Sequence, residues 1–556
     1  MNEIAARLGE VGLPSPVSEL AAREWDAVVV GGGHNGLTAA AYLARAGRSV
    51  LVLERRERLG GACTLERPFP DHRFVLSPCA YVVGLLDELV IGELDLRRRG
   101  FACYVADPNL WVPFDDGTSF GQWLDVARTQ ADLEALGVPK ADIDGYWRYE
   151  ELFDEIRRKL RTGARDAWVG ESPSRAEIEE LLDGEQTMLD VVFRASIAEV
   201  LDDHVSDQRI KDALFGQGVI AAYGGPKDPG TASIKLMHYQ GDLEGQGPVW
   251  GYVKGGMGMV SFALADAAQE AGAVLACGVP VAAIVPQEGV VLEDGTRLRA
   301  RTVVCNADPK VTLRLLDGQD VPGDYRARLE AWKVRSPVVK FNAALNGLPE
   351  WTAAPGEAWP ARATIDVTGG LDDAQRAFEA CERGEPAVAF GEIYIQTGYD
   401  PTPAPEGHHL LSVFGQYAPY DLDAGTWETR RDEVARQFID LIERFAPGFE
   451  ARLEAYEVLG PPDIEARIGL TGGNIFQGEV TPDQMWEHRL TPRTPVRGLY
   501  LCGAATHPGG SVIALNGRNA ASAVLADQGA DGSDGPTAAR RPPVGRAAAG
   551  HGSPVR

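Results

Sequence analysis

The chain is poor in cysteine: seven in 556 residues, none of them paired at CxxC spacing. That excludes a dithiol redox pair and a cysteine-rich zinc site, and it reads as a reduced, intracellular pattern. Positive charge is also short. Lys and Arg number 54 against 80 Asp and Glu, a net charge of −26. Such a balance argues against nucleic acid and against broad binding to an anionic membrane. No run reaches the ~18 apolar residues of a membrane-spanning helix, which leaves only peripheral membrane contact open. The first residues, MNEIAARLGEVG, carry acids and no long apolar core, so no secretory signal is expected. The expected location is cytoplasmic. What the chain has in quantity is glycine, 64 residues, and an apolar fraction of 44%. Its length implies more than one core.

The glycines concentrate first between Asp26 and Gly61. Ala27 to Val30 is an apolar run of the kind found in buried parallel strands. Gly31, Gly33 and Gly36 follow at GxGxxG spacing, with His34 and Asn35 inside the loop. An alanine-rich helical stretch comes next, then a second apolar run ending in Glu54. Strand, glycine turn, helix, strand and acid in register form a dinucleotide-binding unit. The diphosphate is expected at the helix N-terminus, where free amides and the helix dipole favour negative charge. Glu54 is expected on the ribose hydroxyls, which disfavours a 2′-phosphate. Gly60-Gly61 after Glu54 supplies a second close backbone approach, as a longer cofactor than a nicotinamide dinucleotide requires.

The rest of the chain is expected to interleave two lobes. Residues 1–24 read as a short helix and linker, and 25–94 as the first part of the cofactor domain. A helical lobe with a small antiparallel sheet at its start fills 95–254. Residues 255–309 return to the cofactor domain through a helix, strands and an Asp-Gly hairpin. Residues 310–490 read as long strands of a mixed sheet with one clear helix. Residues 491–527 close the cofactor domain with a strand, a glycine-rich turn and a helix from about Ser511. The tail, 528–556, is expected to be disordered from its composition.

Several segments resemble the phytoene desaturase-like flavoproteins, the family of carotenoid desaturases and ketolases. They are VVVGGGHNGLTAAAYLARAG, LERRERLGGACTLE, WGYVKGGMG, VLEDGTRLRARTVVCNADP, FGQYAPY, PPDIEARIGLTGGNIFQGE and LYLCGAATHPGGSVIALNGRNAA. The resemblance implies FAD, an α/β fold with a discontinuous Rossmann-type cofactor domain, and a second mixed-sheet and helical substrate lobe. It puts Gly31, Gly33 and Gly36 at the diphosphate and Glu54 at the adenosine ribose. Arg56, Gly60 and Gly61 fall along the ribityl and diphosphate, and Val281 at the adenine. Gly503, Pro508, Gly509 and Gly510 fall at the flavin end. Disulfide-reductase chemistry is set aside because the paired cysteines are absent.

No Ser-His-Asp arrangement or metal cluster is legible, and the catalytic group stays unassigned. Lys254, before Gly255-Gly256, and His507, before the Pro-Gly-Gly turn, are the candidates; each also reads as structural. Trp250, Tyr252, Phe414, Tyr417 and Tyr420 read either as tunnel wall or as core. The expected activity is hydride transfer from an apolar, isoprenoid or conjugated substrate. Ketolase-like oxygenation and a mainly partner-binding flavoprotein are the alternatives.

Overall fold

The computed structural model describes residues 8–531. A six-residue helix, Val17–Ala22, leads into β1 (Glu24–Val30), helix α1 (His34–Arg45) and β2 (Val50–Glu54). The chain then leaves through β3 (Cys103–Val105), β4 (Leu110–Pro113) and β5 (Ser119–Gln122). A helical region follows, including α2 (Lys140–Thr162) and α3 (Ala232–His238), and then β6 (Gly251–Val253). It returns through α4 (Gly258–Glu270), β7 (Val274–Cys277), β8 (Val281–Val285), β9 (Gly289–Leu292) and β10 (Arg297–Cys305). The second excursion holds β11 (Val338–Leu345), β12 (Thr364–Thr368), β13 (Phe390–Tyr394), β14 (His409–Gln416), α5 (Trp427–Glu443) and β15 (Leu453–Leu459). β16 (Leu499–Leu501) and α6 (Leu515–Asp531) close the chain.

Two seven-stranded sheets result. In the first, β7, β2, β1, β10 and β16 run parallel, and β9 and β8 add an antiparallel edge. Its central strands are buried on both faces, between α1, α4 and α6 on one side and a second apolar cluster on the other. That explains why β1 and β2 read as continuous apolar runs rather than alternating ones.

The second sheet has the order β15-β11-β14-β13-β12-β4-β5 and is antiparallel except at β12/β4. Its strands alternate. Val339, Phe341, Ala343, Ile365, Val367, Ile393, Leu411 and Val413 share a core with Val434, Phe438 and Ile442 of α5. The opposite face carries polar residues and turns inward.

The α/β architecture expected from the sequence is thus present, with some local differences. Residues 95–120 form no sheet of their own. β3 pairs with β6, while the β4/β5 hairpin extends the second sheet, because a short hairpin alone buries too little. The last helix starts at Leu515, not Ser511, since Ser511, Val512 and Ala514 all hold positive φ. It runs on through Asp531, so the start of the expected tail is helix; the remainder, from 532, lies outside the described residues, as do residues 1–7.

Candidate functional site

β1 delivers the glycine loop to the C-terminal edge of the first sheet. Gly31 has φ +100°, open to glycine at little cost, and a Cβ at Gly36 would lie 2.2 Å from the Gly31 carbonyl oxygen. Gly33 has an ordinary φ of −73°, so what it provides is space. A Cβ there would come within 2.9 Å of Asn306 Nδ2. Gly33 also forms a parallel bridge with Gly60, and the Gly60 N–H donates to the Gly32 carbonyl at 2.8 Å. The two glycine segments therefore lie side by side. α1 begins at Gly33 with no side-chain cap, which leaves its first amides facing the groove.

Glu54 is buried at the end of β2. Its carboxylate accepts the Gly32 N–H at 2.8 Å and the Arg56 N–H at 2.9 Å. Burial raises its pKa, and those two amides and the nearby Arg56 and Arg55 oppose the rise. The groove beside it, about 430 Å³, is lined by Gly31, Gly33, His34, Asn35, Glu54, Gly60, Gly61 and Val281 among others. An uncapped helix start, paired glycines and a buried acid fit the diphosphate and ribose of FAD.

Other expected cofactor residues sit differently. Gly36 packs against Gly31 and Asn306 rather than lining the groove. The Arg56 guanidinium turns to the Gly61 carbonyl (3.3 Å) and to Glu66. Of the C-terminal turn, Ala504, Ser511 and Val512 reach the cavities, while Gly503, Pro508, Gly509 and Gly510 stand behind them. Gly510 is pressed against Phe476 and Gly503 against Gln477. The sequence reading missed Asn306, Gln477, Arg55 and Arg314, which also line the groove. Asn306 was findable, because it ends a predicted strand as Gly31 does.

The groove leads directly into a second cavity. His34, Ala62, Ile475 and Ala504 line both. Its wall is mainly apolar and aromatic: Tyr81, Val82, Ile220, Trp250, Phe414 and Phe476 are examples. Burial lowers His34 and His238 to about 4, so both rings are neutral at pH 7. Of the aromatic candidates, Trp250 and Phe414 are on this wall. Tyr252 instead donates to the Ala363 carbonyl and Tyr417 to the Gly224 carbonyl, and Tyr420 is exposed.

A third cavity, about 450 Å³, shares Gln217, His238 and Trp250 with the second. It lies between α2, α3 and the β4/β5 hairpin, and the exposed Leu124 and Val126 stand on its wall. Shared wall residues thus line the three spaces up in a row, as a candidate path from groove to surface.

The catalytic candidates from the sequence are not on that path. Lys254 is exposed on the turn after β6. His507 is buried against Trp168, and burial drops it to about 3. A polar row that the sequence reading did not identify lies beneath the second cavity. Register places Lys340, Phe414, Glu392 and Asp366 side by side across β11, β14, β13 and β12. All are buried, and Glu392 lines the cavity. Burial lowers Lys340 to about 7. It raises Glu392 to about 7, against the Tyr394 hydroxyl and Lys340, which favour its charged form. Asp366 is raised well above the usual range by burial and by Glu392.

The comparisons agree with this geometry. A family model described as flavin containing amine oxidoreductase matches residues 148–525, and one described as NAD(P)-binding Rossmann-like domain matches 29–83. The chain is 34% identical to pyridine nucleotide-disulfide oxidoreductase domain-containing protein 2 of Mus musculus, over 91% of this chain and 94% of that protein. It is 28% identical to hydroxyneurosporene desaturase of Cereibacter sphaeroides, over 90% and 97%. Putrescine oxidase bound to putrescine shares the fold, with a TM-score of 0.59 at 16% identity over 91% of this chain and 99% of that one. All seven cysteines here are free thiols. The chain belongs to the flavin-containing amine oxidoreductase family, and it is an FAD-dependent oxidoreductase.

Proposed function

We propose that this oxidoreductase dehydrogenates an apolar, isoprenoid-like molecule held in the second cavity. The observation that carries the reading is the wall itself: Tyr81, Val82, Ile220, Trp250, Phe414, Phe476 and Val512 surround a space continuous with the cofactor groove. Such a wall binds mainly by removing apolar surface from water. The similarity to a desaturase named for a carotenoid supports the same substrate class.

FAD, when bound, supplies the two-electron oxidising capacity. The chain contributes position and dryness. Its aromatic side chains fix the substrate plane, and their apolar surface disfavours water beside the reacting carbon. Trp250 and His238, 5.9 Å apart between ring centroids, stand where the surface cavity meets the inner one. Substrate reaches the site past these rings.

Anaerobic mixing of the FAD-loaded protein with a panel of terpenes and of short polar amines and alcohols tests the reading. Bleaching of the flavin by a terpene is expected. Bleaching by the polar compounds alone would overturn it.

A further inference from the structure

Glu392 is the one acid on the wall of the second cavity among the described residues, and its Oε2 has no hydrogen-bond partner. Its surroundings do not supply one. The Tyr394 hydroxyl engages the carboxyl from the same strand. Lys340 stands two places along the row, yet its Nζ is also unpartnered. It lies 3.5 Å from the Phe414 ring centroid and 4.8 Å from that of Tyr81, held by the rings and not by the acid. On the other side stands Asp366, with an unpartnered Oδ1 of its own. A buried carboxyl with an empty acceptor position is costly unless something fills it. An ion pair across Phe414 would have filled it, and the fold does not make one.

We infer that the molecule held in this cavity is an apolar body carrying one hydrogen-bond-donating group, a hydroxyl or an amine, and that Glu392 receives that group. The inference rests on the apolar reading of the cavity and narrows it. With Glu392 ionised, its free acceptor oxygen makes this end of the wall favourable to a donor or a cation. His238, neutral and with an unpartnered Nδ1, lies on the same wall, as do Gln217 and Ser511, so the other polar side chains there add no charge that competes with Glu392. Glu392 is assigned as a specificity residue: it selects and orients, and no bond is broken at it.

Three probes of matched shape separate the outcomes: geraniol, geranylamine, and 2,6-dimethylocta-2,6-diene, which is geraniol without its oxygen. Each is titrated into the FAD-loaded protein, and binding is read from the shift of the flavin absorbance. The donor-bearing probes are expected to bind roughly tenfold or more tighter than the hydrocarbon, because a site built for a donor rejects its absence. In Glu392→Leu the three affinities should converge. In Glu392→Gln, which keeps the shape and is the safer variant for folding, the amine should lose more than the alcohol. A hydrocarbon that binds as tightly as both donors in the wild-type protein, or a preference that survives Glu392→Leu, overturns the assignment and leaves the apolar reading standing. If none of the three shifts the flavin spectrum, the apolar reading falls and this inference with it.

Discussion

Lys340 and Glu392 occupy the same cross-strand row, separated by the ring of Phe414 on the strand between them. Both are buried on the inward face of the second sheet, and neither Nζ nor Oε2 has a partner. An amine and a carboxyl sit in one row without an ion pair, directly beneath a cavity. The row is therefore a cost to the fold and a resource for the site.

That cost can be measured at Lys340. Burial holds its folded pKa at about 7, below the ordinary lysine value, with Cys79 and Glu392 opposing the shift. Between those values the unfolded chain binds the extra proton, so stability rises with pH through this window. Lys340→Met removes the buried amine. Its melting temperature should exceed that of the wild type near about pH 6, and the gap should narrow toward about pH 9. Equal gaps at both values would show that burial of the charge is not what the lysine costs.

Gly33→Val should abolish most FAD binding. The added side chain meets Asn306 Nδ2 and closes the gap between the two glycine segments. Backbone strain is not the reason, since Gly33 has an ordinary φ. The released flavin per chain is the measurement, and the second sheet should keep its melting transition. Wild-type flavin content in the variant would refute the placement of the loop.

Glu66 joins the cofactor loops to the second sheet. It pairs with Arg56 and with Arg467, and Arg467 Nη1 reaches Glu457 of β15 at 2.8 Å. Burial pushes Glu66 up, but the two guanidinium groups outweigh it and hold the carboxyl below its usual value. The contribution is thus complete above the ordinary carboxylate range and is lost as pH falls through the lowered value. Glu66→Gln should destabilise the protein by about 2–4 kcal/mol at neutral pH. Denaturant unfolding at descending pH should show the difference shrinking.

Lys254→Met should leave FAD content, melting temperature and flavin reduction unchanged, because the side chain is exposed and off the path. His507→Ala should cost roughly 1–3 kcal/mol of stability through the space left against Trp168, yet keep its flavin. Loss of all reduction in either variant with full FAD would make that residue part of the chemistry.

The cofactor half of this site was legible because its signals are local. Gly31, Gly33, Gly36 and Glu54 lie within one strand–helix–strand unit, and their spacing alone carries the meaning. The substrate half was not legible, for a reason visible in β11. Lys340 and Asn342 alternate with Val339, Phe341 and Ala343, a pattern that ordinarily means polar outward and apolar inward. Here the polar face looks into the molecule, because residues 78–81 lie over Lys340 and Asn342 and residues 215–221 over the neighbouring strands. Period 2 identifies two faces and is silent about what lies over each. Asp366 and Glu392 come from strands that only the register places beside Lys340. The C-terminal turn was read from its glycines alone. In the fold Gly510 packs against Phe476 and Gly503 against Gln477, while the bulkier Ser511 and Val512 reach the cavity.

A structure of the FAD-loaded protein decides where the flavin ring lies. The adenosine end is expected beside Glu54 and Val279–Val281, the diphosphate against Gly33 and Gly60, and the flavin ring at Ala62, Ile475 and Ala504, where the groove meets the apolar cavity. A flavin ring at the Val281 end, or one closed off from the cavity that Glu392 lines, would contradict that placement.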